Sequence, residues 1–90
     1  MTVIRIEPGE VTSTGNQFHS KGNELEGMIQ QARGLMNSLQ GMFTGLRANA
    51  IYREWDAMQP RLTSSVETLH MAGDLLQRAA KDFSDADSRR

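Results

Sequence analysis

His19 and His70 are the two histidines of this sequence and the first residues to test for chemistry. A helical metal site needs further donors one turn away on the same face. His19 has none, and His70 has Asp74, four residues on. One His/Asp pair leaves a cation short of ligands and reads as a surface contact. Serines are present, but no serine nucleophile motif is. No glycine-rich phosphate loop follows a strand, and no strand pattern could carry one. Glu7, Glu10, Glu24, Glu26, Glu54, Glu67, Asp74 and Asp82 lie mostly off the apolar stripes, as on a solvated face. No constellation supports catalysis, so the chain reads as a non-enzyme without cofactor or metal.

Composition narrows the class further. The 90 residues hold 10 basic and 11 acidic side chains, a net charge of -1. Nucleic acid and anionic membranes call for a basic surplus, which is missing. The absence of cysteine excludes disulfides, thiol chemistry and cysteine-based zinc sites. Mean hydropathy is -0.52, and no run nears the roughly 20 apolar residues of a membrane span. Stable membrane insertion is therefore not expected. The opening "MTVIRIEPGEV" has no apolar core of signal-peptide length. If the protein leaves the cell, it is expected to do so without a cleaved signal. The chain reads as one small domain, residues 1–90.

Two elements dominate the pattern. Residues 1–7 are extended in pattern, and "EPGE" reads as a helix start. Pro8 suits a first turn, where its missing N–H costs nothing, and Glu10 faces the positive end of the helix dipole. Val11, Gly15, Phe18, Gly22, Leu25, Ile29, Ala32, Met36 and Leu39 then recur in steps of four and three, a heptad seam. Met28, Leu35 and Met42 widen it on one side. The spacing predicts helix 1 over about 8–40 and a turn over about 41–45. Ile51, Trp55, Met58, Leu62, Ser65, Leu69, Ala72, Leu76, Ala79 and Phe83 form a second series. It predicts helix 2 over about 46–84, with a flexible tail over 85–90.

Pro60 interrupts the second series, and a kink or a restart near Gln59 is expected there. Gly15, Gly22, Gly27 and Gly34 weaken helix 1 by about 1 kcal/mol each relative to alanine. At Gly15 and Gly22, on the seam, a missing side chain lets a partner helix come close. Ser13, Ser20, Gly27, Gly34 and Gly41 form another line, either solvent-facing or a flat second face. The fold class is all-α, an antiparallel helix-turn-helix hairpin. Its apolar face is broader than one partner helix covers, so it is expected to dimerise into a four-helix bundle.

With these features the chain resembles the WXG family, the early-secretory-antigen-like substrates of type VII (ESX) secretion. The family motif, Trp-x-Gly, lies in the turn between two helices. Here Phe43-Thr44-Gly45 occupies that place, with phenylalanine for tryptophan. Tyr52 and Trp55 match the aromatic feature on the family's second helix. "FSDAD" places Phe83 and Asp87 four residues apart and resembles the Tyr-x-x-x-Asp/Glu export signal, with Phe for Tyr. On a continued helix that spacing presents a ring and a carboxylate on one face. Without the signal reading, Phe83 is the last seam residue and Asp87 a solvated acid.

The resemblance implies a secreted protein, cytoplasmic before export, that acts by protein–protein contact in virulence or interbacterial competition. The turn motif Phe43 and Gly45 and the export signal Phe83 and Asp87 would meet the export apparatus, including the type VII secretion ATPase. Phe18, Leu25, Ile29, Leu39, Trp55, Leu62 and Leu69 would hold the hairpin and its dimer. The partner is a second copy, a related small helical protein, or a larger toxin. Some relatives with Phe at these motif positions are targeting partners of LXG-type toxins, and that alternative stays open. A non-secreted coiled-coil adaptor is the rival from outside the family.

Overall fold

The computed structural model describes residues 7–88, with side chains described over 7–85. The extended pattern expected at the N-terminus, apart from Glu7, lies outside the described residues. Two helices make up the fold, α1 (Pro8–Gln40) and α2 (Leu46–Ser88). They lie antiparallel in a rod 69 Å long. At about 1.5 Å per residue, the 33 residues of α1 span roughly 50 Å.

Local chemistry explains the ends. The Glu7 carbonyl accepts from the amides of Glu10 and Val11, starting α1, and Pro8 occupies the first turn. At the other end the Met42 and Phe43 amides both donate to the Leu39 carbonyl, at 2.9 and 2.8 Å. The chain then reverses at Gly45, whose φ of 119° is open to glycine but strained for a residue with a Cβ. The Gly45 carbonyl accepts from Asn49 and opens α2.

In α1, every residue of the predicted seam turns inward: Gly15, Gly22 and Ile29 are buried and the rest half-buried. In α2 the inward face is rotated from the expected one. Trp55, Leu62, Leu69, Leu76 and Ala72 are half-buried as expected, but Ile51, Met58, Ser65, Ala79 and Phe83 are exposed. Ala48, Tyr52, Gln59, Val66, Gly73 and Ala80 turn inward instead. The inner face of α2 thus mixes large residues (Tyr52, Trp55, Leu62, Val66, Leu69 and Leu76) with small ones (Ala48, Gly73 and Ala80), and the small ones are the most buried.

That closeness is set by two glycines. A Cβ on Gly15 would lie 2.9 Å from the Gly73 carbonyl oxygen, and one on Gly73 would lie 2.7 Å from the Gly15 oxygen. Backbone meets backbone at this layer, leaving room for no side chain on either helix.

Helix α2 runs through Pro60 without the restart that was one of the two outcomes expected near Gln59. Pro60 and Asp56 are exposed, so the Asp56 carbonyl that loses its helical donor sits on the solvent side. Beside them the Gln59 amide donates to the Trp55 carbonyl at 3.2 Å and accepts from Arg33 of α1 at 2.7 Å. The helix also continues past Ser84 to Ser88, into the segment expected to be tail. An i,i+4 ion pair between Lys81 and Asp85, at 3.6 Å, bridges that boundary.

Candidate docking face and motif positions

The seam alone leaves much apolar surface uncovered. Fully buried hydrophobic residues amount to Ile29, Ala48 and Ala80 among the described residues. Met28, Leu35, Met42, Ile51, Met58, Met71 and Leu75 remain between 44% and 78% exposed.

Leu46, 88% exposed, stands at steps of seven from Glu67 of the opposite groove, whereas most of the seven follow one flank of the hairpin. A shallow groove there is lined by Thr14, Gln17, Phe18, Lys21 and Leu69, and a second by Leu25, Ser64, Ser65, Thr68 and Leu69. Steps of seven from Thr14 and Lys21 reach Met28, Leu35 and Met42. Steps of seven from Ser65 reach Met58 and Ile51, from Ser64 Met71, and from Thr68 Leu75. Two of the hydroxyls on this side bond back to their own helix: Ser65 to the Arg61 carbonyl at 2.9 Å and Thr68 to the Ser64 carbonyl at 2.8 Å. Covering them therefore strands no donor. The groove on the opposite side is lined by Glu26, Gln30, Arg33, Thr63 and Glu67 around Ile29 and Val66, and its rim is charged.

The predicted interface residues fall on this frame. Phe18, Leu25, Leu39, Trp55, Leu62 and Leu69 are half-buried between the helices, and Ile29 is 6% exposed. Phe18, Leu25 and Leu69 also line the apolar grooves.

At the turn, Phe43 is 36% exposed. The Tyr52 hydroxyl donates to the Phe43 carbonyl at 2.6 Å, and the two rings meet edge to face with centroids 6.4 Å apart. Phe43 is thus braced by α2 rather than wedged between the helices. At the other end Phe83 is 39% exposed. It continues the inward line of Leu62, Leu69 and Leu76, but Gly15 already packs against Gly73 and Gln77. In that antiparallel register Phe83 falls level with about Gly9, where α1 has just begun, and loses its cover. Asp87 lies in the last turn of α2, with its side chain outside the described residues.

One cluster escaped the sequence reading. His19 and His70 meet across the helices with their Nδ1 atoms 2.7 Å apart, and His19 Nε2 lies 3.0 Å from Asp74 Oδ1. Asp74 pairs with the histidine of the other helix, not with the one four residues before it. Antiparallel pairing carried the missed signal: His19 and His70 stand about 25 residues on either side of the turn, so a hairpin sets them level. Among the described residues no group of three or more His, Asp or Glu side chains is arranged to hold a metal ion. No helix of the described residues is long and apolar enough to cross a membrane.

Two long antiparallel helices joined by a tight glycine turn define a helical-hairpin protein. Residues 3–88 match the WXG100 family, "Proteins of 100 residues with WXG", and the chain belongs to this family. Its fold is that of Geobacillus thermodenitrificans EsxA (crystal form I), with a TM-score of 0.84 and 21% identity over 99% of this chain and 96% of that one. It is also that of the secreted protein EsxB of Bacillus anthracis str. Sterne, with a TM-score of 0.82 and 24% identity over 97% and 99% of the two chains. A comparison with curated protein sequences finds no match.

Proposed function

We propose that this protein is a type VII (ESX) secretion substrate that acts through protein–protein contact as a dimer of hairpins. The observation that carries the reading is the concentration of exposed apolar residues along one flank. Met28, Leu35, Ile51, Met58 and Leu75 stand at steps of seven from the groove residues there, a patch of the kind that marks an interaction site. The occupant is a second copy of this chain, forming a four-helix bundle. A two-fold dimer needs one self-complementary surface, and here the apolar lines of α1 and α2 both run in steps of seven on the same side. Family membership and the secreted EsxB with the same fold support export. Phe43 and Gly45 at the turn, and Phe83 with Asp87 at the end of α2, are the contacts offered to the secretion ATPase. The exposure of Phe83 supports that role, because an anchor ring must reach a receptor pocket.

Culture fractionation of the Phe83→Ala/Asp87→Ala double variant tests the export reading. The variant is expected to accumulate in cells and to be lost from the medium. Export at the wild-type level overturns the signal. A second reading, targeting partner of a larger LXG-type toxin, draws on Phe43 and Phe83 standing where the family motifs have Trp and Tyr. Stoichiometric co-purification with such a toxin decides for it, and a clean homodimer counts against it.

A further inference from the structure

The His19–His70 contact lies on the charged side of the hairpin, away from the apolar face, and the secretion reading makes no use of it. Its hydrogen bonding can be worked out atom by atom. His19 Nε2 faces the Asp74 carboxylate at 3.0 Å, so it must carry a proton to donate. In neutral His19 the Nδ1 atom is then a bare acceptor. His70 Nδ1, at 2.7 Å, must be the donor to it. If the pair takes up one proton, His19 carries two N–H groups and His70 Nδ1 becomes the acceptor. Both states make every hydrogen bond of the cluster. With two protons, both Nδ1 atoms carry hydrogen and two imidazolium ions point N–H at N–H. No tautomer relieves this.

Each ring is also packed against the opposite helix. His70 lies on Gly22, where an added Cβ would come within 2.8 Å of its Nε2. His19 lies on Gly73, where an added Cβ would come within 2.7 Å of its Cδ2. Each ring fills the space left by a glycine of the opposite helix, beside the Gly15–Gly73 backbone contact. Separating the rings therefore removes the side-chain contact that ties the two helices together at this layer.

We propose that the His19–His70 pair is an acid-sensitive latch. It holds the free end of the hairpin closed while carrying no proton or one, and opens that end when it takes up a second. Asp74 of α2 is the charged group bonded to the pair, and Glu67, one turn before His70, lines the charged groove together with Glu26 of α1. Lys21, the nearest cation on α1, is tied to Glu24 at 3.1 Å, and Arg78 follows Asp74 by one turn on α2. The sign follows from linkage. Two separated histidines in the opened state bind two protons where the closed contact binds at most one. Closure is therefore favoured by high pH and opposed by low pH.

Amide hydrogen exchange of the full chain at about pH 7.5 and about pH 5, corrected for intrinsic rates, tests the latch. At the lower pH, protection is expected to fall about tenfold in the layer around Gly15, Gly22 and Gly73, while the turn half changes less than about twofold. His70→Asn keeps a donor near the position of Nδ1 but does not titrate, and it is expected to remove the pH response. Equal protection at both pH values in the wild type, or an equal loss in His70→Asn, overturns the proposal. The wild type alone supplies a second measurement, the imidazole nitrogen spectrum at about pH 8. His19 is expected to carry its proton on Nε2 and His70 on Nδ1; any other pair of tautomers overturns the proposal.

Discussion

The Tyr52 hydroxyl donates to the backbone carbonyl of Phe43 at 2.6 Å, tying the second turn of α2 to the reversal between the helices. This bond fixes the peptide of the motif residue while its ring stays partly exposed. Tyr52→Phe keeps the ring contact and removes the donor. It is expected to cost about 1 kcal/mol in urea unfolding, the usual net worth of one hydrogen bond. An unchanged midpoint would show that the bond does not hold the turn.

The glycines of the hairpin divide into two groups with opposite signs. An alanine at Gly73 meets the Gly15 carbonyl and the His19 ring, all under 3.0 Å, and backbone cannot yield cheaply. Gly73→Ala is expected to cost about 1–3 kcal/mol. Gly27 and Gly34 have nothing within 4 Å of an added Cβ. Alanine at each should stabilise by about 0.5–1 kcal/mol through helix propensity alone. Thermal unfolding of the three variants checks the order.

Pro60 sits in an unbroken helix, so the native state carries the cost of its missing N–H. Pro60→Ala is expected to raise stability by about 1–3 kcal/mol, read from chemical unfolding. A loss of stability would mean that the proline shapes the native packing of α2.

These contrasts explain how much of the protein could be read in advance. The hairpin, its turn and the inner face of α1 were legible because Val11, Phe18, Leu25, Ile29, Met36 and Leu39 keep one heptad line that turns inward, with Met28 and Leu35 on a separate line beside it. In α2 apolar bulk and inward placement separate. Ile51 and Met58 are bulky but face sideways, whereas Gly73, Ala80 and Gln59 are inconspicuous and face in. Hydrophobic spacing finds the most apolar stripe, and on α2 that stripe mixes the seam with the outer face. Gly15 and Gly22 were read as close-approach sites, but Gly73 was not identified as their counterpart. The link from Asp74 to His19 is a cross-helix contact, and spacing along one helix does not reveal it.

The outer apolar face is open to a graded test. Glu26 and Glu67 rim the opposite groove, so Glu67→Gln should leave assembly unchanged. Met58→Glu places a charge among the exposed apolar residues and is expected to weaken self-association at least tenfold in sedimentation, about 1.4 kcal/mol. Equal effects from the two substitutions would mean that the apolar face is not the contact.

The most direct test is the solution mass of the purified chain by light scattering across a range of concentrations, set beside that of Leu35→Glu. Leu35 is 73% exposed, so the substitution leaves the seam intact. The account predicts twice the 10.0 kDa chain mass for the wild type and the single mass for the variant. A wild type that stays at the single mass at every concentration would contradict it.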